Sequence, residues 1–348
     1  MFGNTVMKHL YSVIGYAFAF LLLVLLSTSC VVQRKVQFDV LTSPVNAFPS
    51  DIKSLVLVNH AIKPLNDSSG TQYAYQNKLY YDSVKLDTML TMLATDALAG
   101  IISSGGRYTL MANPVVIPKY AGLDKILSLS SDSILYYLKD SGADAAIILD
   151  DVKTFDWLFY YGGNAGPVYI TLETYAAAFW KVYRIKTGEL LDNFAYMDTL
   201  TWTVSDFSFE SGFSQIPYRR DALADVAFNA GERYAKRISP YQKTVKRIYF
   251  VDSDDRMKEA EILVNQGSWL TAARIWNEVA SGKKKKRASM AAFNLALASE
   301  IQGNLDIARY WIDKAIELKF DAIYQKYRSI LYKRQADVES MKQNSGVW

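Results

Sequence analysis

Apolar and polar positions alternate along this chain in three rhythms, and each predicts a different kind of element. A short continuous run, Ile52-Lys-Ser-Leu-Val-Leu-Val-Asn59, predicts a buried strand, and Ala145-Ala-Ile-Ile-Leu149, continuing through Asp150 and Asp151 to Phe155, predicts another. Between them Leu86, Leu90, Leu93, Ala97 and Ile101 recur at helical spacing, so residues 84–103 predict a helix that Ser103-Ser-Gly-Gly106 stops. Asn66-Asp-Ser-Ser-Gly70 reads as a loop, Arg107–Ala112 as a second strand, and Ser131–Gly142 as a short amphipathic helix with a glycine stop. A long alternating run from Val168 to Tyr183 turns at Lys186-Thr-Gly188 and returns from Leu190 to Trp202, the pattern of a β-hairpin. A helix from about Arg219 to Ile238 ends before Pro240. Strands alternating with helices predict layered α/β packing.

From about Asp254 the period becomes helical throughout. Gly267-Ser-Trp-Leu-Thr-Ala272-Ala-Arg-Ile-Trp276 and Gly303-Asn-Leu-Asp-Ile-Ala308-Arg-Tyr-Trp-Ile312 align at a spacing of 36 residues. With Leu295, Ala296, Ala308 and Ala315 this tail resembles tetratricopeptide repeats, in which small residues let paired helices approach. Two units and a last helix, Tyr324 to Met341, fall near the lower limit for such arrays, which usually need about three units to bury a continuous core. The predicted fold class is therefore an α/β (α+β) domain, residues 51–250, with a mixed sheet and a long β-hairpin, followed by a small all-α tetratricopeptide-like helical tail, residues 254–342.

The start of the chain carries a different signal. One basic residue, Lys8, precedes an uncharged run from Tyr11 to Leu26, about 16 residues, short of the roughly 20 that span a bilayer. Leu26-Ser-Thr-Ser-Cys30 resembles the lipobox of bacterial lipoproteins, with Ser27 where that pattern has Leu. The resemblance implies a lipoprotein signal peptide over residues 1–29, a palmitate-type lipid modification on Cys30 and a tether over residues 30–50. Cys30 is the one cysteine of the chain, and acylation would consume a thiol that an oxidising compartment makes a liability. Buried acyl chains contribute about 0.8 kcal/mol per CH₂, so several chains make a lasting anchor. Val31-Val-Gln-Arg-Lys35 has neither an Asp at the second mature position nor the acidic cluster of surface-exported Bacteroidota-type lipoproteins. The expected address is the outer membrane, facing the periplasm.

A second resemblance covers residues 50–240. The order of a "SLVLVNH" strand, a helix, a strand, Gly142-Ala-Asp144 before a buried strand, and Thr187-Gly-Glu189 at the hairpin is similar to the curli-secretion lipoprotein family and to the N-terminal domain of Tol β-propeller proteins. Asn59-His60 stands where those families carry Pro-Phe. The resemblance implies an oligomeric subunit of an envelope secretion or transport complex.

Composition narrows the chemistry. Half of the residues are hydrophobic and 21% are charged, as in a folded globular protein, and a net charge of +4 points to no nucleic-acid partner. There are two histidines, and loss of His9 with the signal leaves His60, which supplies neither a metal site nor a triad. Asp150 and Asp151 are adjacent on a strand and point to opposite faces. Asp252-Ser-Asp-Asp255 lacks the glycine and closing Glu of a calcium loop and reads as a helix cap before Met257. Lys283 to Arg287 reads as a solvated loop between repeats. No catalytic residue, metal or cofactor is expected.

The most suggestive stretch is Phe155-Asp-Trp-Leu-Phe-Tyr-Tyr-Gly-Gly-Asn-Ala-Gly-Pro167, which fits either a buried strand or an aromatic contact surface. Trp157, Phe159, Tyr160, Tyr161, Trp269 and Trp276 are the candidate partner contacts. The expectation is a non-enzymatic lipoprotein that binds or assembles a protein partner at the envelope. A ring-forming secretion subunit is the alternative, and an enzyme using an isolated carboxylate such as Glu173 is a third reading.

Overall fold

The computed structural model describes residues 31–63, 72–82, 86–111, 114–121, 126–127 and 130–345. The expected signal segment, Cys30 and the loop at Asn66–Gly70 lie outside them. In chain order the elements are β1 (Val32–Thr42), β2 (Ser54–Asn59), β3 (Gln72–Tyr75), β4 (Lys78–Tyr81), α1 (Asp87–Gly105), β5 (Thr109–Leu110), β6 (Val115–Val116), β7 (Tyr120–Ala121), β8 (Ile126–Leu127), α2 (Ser131–Leu138) and β9 (Ala145–Gly162). There follow β10 (Val168–Arg184), β11 (Leu190–Asp206), α3 (Phe209–Phe213), α4 (Arg219–Ile238), β12 (Tyr241–Val251), α5 (Asp255–Asn265), α6 (Trp269–Ala280), α7 (Lys285–Ile301), α8 (Leu305–Leu318) and α9 (Ala322–Ser345). The fold is the α/β class predicted, with a mixed sheet, a long hairpin and a helical C-terminal region.

The described residues divide into two compact units, one holding Leu41–Lys243, the other residues 31–40 with Thr244–Asp337. In the first, the sheet order is β11-β10-β9-β2-β5, with β3 and β4 attached beside β9 and β6 beside β2. β2 runs parallel to β9 while β9, β10 and β11 are antiparallel, so the sheet is mixed. β9 is 18 residues long, because the aromatic stretch after Phe155 continues the strand as far as Gly162, as its strand reading expected.

One sheet face is sealed by α1 and α4. Leu55, Leu57, Ile147, Leu149, Ala178, Trp180 and Val182 pack there against Leu98, Ile102 and Tyr234. The Trp180 ring stacks on Tyr234 at 4.9 Å, and the Tyr234 hydroxyl donates to Asp192 at 2.9 Å. Burial, followed by the Asp192 charge, drives the Tyr234 pKa upward. The helices cross at Gly231, where an added Cβ would lie 1.9 Å from the Ala94 carbonyl oxygen, so only glycine permits this approach. Helix α1 is long and apolar enough to cross a membrane by length and composition, and its Leu98 and Ile102 are buried in this core. On the opposite face α2 inserts Ile134, Leu135 and Leu138 against Val56, Val58, Ala146 and Ile148. Asp144 ties β2 to the start of β9, accepting from the Lys53 and Ser54 amides at 2.9 and 2.8 Å and from the Ser54 hydroxyl at 2.8 Å.

In the second unit β1 pairs with β12. Residues 32–42, read from sequence as part of a tether, form a strand because Val36, Phe38 and Val40 alternate with polar neighbours. Asn294 lies fully buried and bridges both main-chain groups of Phe250, accepting at 2.8 Å and donating at 2.7 Å. The helical hairpins α5–α6 and α7–α8 turn at Gly267 and Gly303, both at positive φ, in register with the 36-residue spacing. Asp254 caps α5 through the Arg256 amide, as the cap reading expected. The basic run is not a solvated loop throughout: α7 starts at Lys285, and Arg287 reaches Asp252 at 2.7 Å and Asp254 at 2.6 Å. Glu300 is buried and accepts from Arg247, Arg334 and Tyr327, a network that leaves its charge paired.

Candidate functional site

The long strands β9, β10 and β11 present two surfaces of different chemistry. Alternation sends Ile170, Leu172, Ala176, Ala178, Trp180 and Val182 of β10 to the sealed face. The intervening positions Tyr169, Glu173, Tyr175, Ala177, Phe179 and Lys181 face the other way, and α3 and α4 pack on the sealed side of these strands. Register then assembles rows across the open face: Tyr161, Tyr169 and Ser205; Trp157, Glu173 and Thr201; Phe155, Tyr175 and Thr199. Tyr161 stacks on Tyr169 at 5.2 Å, Trp157 lies 4.7 Å from Phe159, and Phe155 lies 6.2 Å from Tyr175. Tyr161 is 58% exposed and Met197, on the adjoining β11, 77%. Lys153, Phe155, Tyr175, Ala177, Met197 and Thr199 line a shallow hollow of about 610 Å³ on this face.

The structure sorts the sequence candidates. Trp157, Phe159 and Tyr161 share the open face. Tyr160 does not; strand alternation turns it to the sealed side, where it meets Phe209 at 4.8 Å and Tyr75 at 6.4 Å. Trp276 is fully buried in the helical unit and is core rather than contact surface, with Trp269 at 6.2 Å and Tyr249 at 6.3 Å. Trp269 is half-buried against the same tyrosine. Glu173 accepts a hydrogen bond from the Tyr175 hydroxyl, and that bond, with burial second, raises the tyrosine pKa. Asp150 pairs with Lys181 at 2.8 Å while Asp151 meets Lys63 at 3.5 Å and Lys119 at 3.6 Å, so the two carboxylates serve separate partners. His60 is buried, its Nδ1 2.5 Å from the Ile117 carbonyl oxygen. Among the described residues no cluster of His, Cys, Asp and Glu could hold a metal.

A cavity of about 1050 Å³ opens on the sealed side beyond the start of α4. Tyr73, Tyr75, Trp202 and Tyr218 supply aromatic walls, and Leu158, Leu172 and Ile216 an apolar floor. Arg219 crosses it, its Nε 2.9 and 2.8 Å from the two Asp156 oxygens and its Nη1 2.8 Å from Asp82. Asp156 is 2% exposed. Burial lifts its pKa above the ordinary carboxylate value, Arg219 opposes that lift, and Asp82 adds to it. Sequence reading missed this set, although Asp156 falls on the inward parity of Val152 and Leu158.

Residues 52–250, more than half of the chain, match the family described as a domain of unknown function, DUF8603. The chain belongs to the DUF8603 family. Its DUF8603 match runs from just before β2 to Phe250, near the end of β12, and takes in both faces and the cavity. Residues 258–337, in the helical region, match a second domain of unknown function, DUF6340. Among solved structures this DUF8603 chain is similar to the PelC dodecamer from Paraburkholderia phytofirmans, at 11% identity over 60% of this chain and 99% of that one, with a TM-score of 0.22. It is also similar to the DUF330 protein XCC0632 from Xanthomonas campestris, at 10% identity over 56% and 88%, with a TM-score of 0.24. Likenesses this distant carry no argument about function. No curated protein matches the chain.

Proposed function

We propose that this protein is a non-enzymatic lipoprotein of the outer membrane, held through Cys30 on the periplasmic side, that binds or assembles a protein partner at the envelope. The observation that carries the binding role is the open face of β9–β11, where Trp157, Phe159, Tyr161, Tyr169 and Tyr175 lie in register on rigid strands. Trp and Tyr dominate interface hot spots because they bury large areas for little conformational entropy. Mounting them on paired strands removes most of the ordering cost that a loop would incur on binding. Anchoring is supported by the lipobox-like Leu26–Cys30 sequence.

A photo-reactive residue placed at Met197 in intact cells is expected to yield a discrete crosslinked partner, whereas one at exposed Tyr137 of α2 is not. Absence of any adduct from Met197 contradicts the reading. Labelled palmitate is expected to enter the native protein and to be lost in Cys30→Ala. A second reading, an oligomeric subunit of a secretion or transport complex, is favoured by β11, a 17-residue strand at the end of the sheet order. Such an edge is a template for pairing with another chain. Light scattering on the delipidated protein separates the two, since a clean monomer removes the oligomeric reading.

A further inference from the structure

We infer that the cavity beside α4 is a binding site for an organic cation, a guanidinium or ammonium group on an aliphatic stem. The cavity lies on the opposite side of the sheet from the open aromatic face and stands independently of it. Its volume, about 1050 Å³, is at the upper end for small-ligand sites, which commonly run to about 1,000 Å³. Charge sets the sign of the ligand: Asp82, Asp156 and Asp221 line the cavity with Arg219 as the opposing charge in the same wall. That guanidinium is engaged by Asp156 and Asp82, so it offers an anion little. Asp221 sits in the first turn of α4, where its charge offsets the positive helix end that would otherwise favour an anion.

The protein's own arginine shows what the walls accept. The Arg219 guanidinium lies 5.1 Å from the Tyr73 ring centroid while its edge meets carboxylates. A second cation entering the cavity meets the same kinds of group, the rings of Tyr75, Tyr218 and Trp202 and the carboxylate of Asp221, in one lining, and the apolar side chains of Leu158 and Leu172 suit a methylene stem. An arginine or lysine side chain of a peptide and a free amine share this chemistry.

The test is calorimetric titration of the purified full chain in detergent with three probes: acetyl-arginine amide, its uncharged citrulline counterpart and an Ala-Arg-Ala tripeptide amide. Acetyl-arginine amide is expected to bind at least about tenfold more tightly than the citrulline probe, the contrast between a charge-assisted contact and a neutral one. Tighter binding of the tripeptide assigns the ligand to a peptide, and equal or weaker binding to a free cation. Asp156→Asn risks misfolding, so the exposed Asp221→Asn and Tyr218→Ala serve as variants, each expected to weaken arginine binding about threefold. Equal affinity for the citrulline probe, no binding of either arginine probe, or two variants that bind like the native protein would overturn the proposal.

Discussion

The two faces of the β9–β11 sheet come from the same residues' alternation and have opposite chemistry. On the sealed face β10 contributes Ile170, Ala178, Trp180 and Val182, all fully buried against helices. On the open face the neighbouring positions are Tyr169, Glu173, Tyr175, Phe179 and Lys181. The sealed face favours aliphatic groups whose shape is matched by α1 and α4, and a change there is felt as lost packing. The open face uses aromatics, several with polar tips, interleaved with an ion pair and threonines, which tolerate water and leave apolar area exposed. The abundance of tyrosine in the chain is thus spent partly on a surface that the fold itself does not need.

Substitutions should separate the two faces sharply. Trp180→Ala, which empties the stack on Tyr234, is expected to destabilise the protein by about 3–5 kcal/mol in chemical denaturation. Trp180→Phe keeps a ring there and removes a buried indole N–H that has no acceptor among the described residues, so its cost should stay below about 1.5 kcal/mol. Gly231→Ala drives a methyl into the Ala94 carbonyl and is expected to cost about 1–3 kcal/mol, with a matching fall in the denaturation midpoint. Tyr161→Ala, on the open face, should change stability by no more than about 0.5 kcal/mol while abolishing partner crosslinking.

Two aspartates sharpen the contrast through pH. Burial works to raise the Asp144 pKa, but hydrogen bonds from the Lys53 amide and from Ser54 outweigh it and hold it below the ordinary value. Its stabilising contribution is complete above the unfolded value, about 3.9, and is lost as pH falls through the lower folded value. Asp156 has the opposite sign: its folded pKa is raised, chiefly by burial, so ionisation weighs against the fold as pH rises from about 3.9 through that value. Denaturation midpoints at about pH 7 and about pH 3 should therefore differ less in Asp144→Asn than in the native protein.

Much of the architecture was legible because periodicity is local. The run at Leu55–Val58, the helical spacing of Leu86 to Ile101 and the hairpin at Lys186–Gly188 each announced an element that the fold contains. What was illegible depends on distant partners. Val36, Phe38 and Val40 carried a strand period, but without sight of β12 the segment read as a tether. Tyr160 read as one of a cluster with Tyr161 because proximity in sequence hides which face a strand residue takes. Trp276 looked like a contact until the helices closed around it. Asp82, Asp156 and Arg219 are separated by scores of residues and meet only through the sheet.

The central claim, that the open aromatic face is a contact surface in the cell, is tested most directly by hydroxyl-radical footprinting of the protein in native envelopes and after purification. The account predicts that Met197, Tyr161 and Tyr169 are oxidised in the purified protein and protected in the envelope, while Tyr137 is oxidised equally in both. Equal oxidation of Met197 and Tyr161 in the two preparations would contradict it.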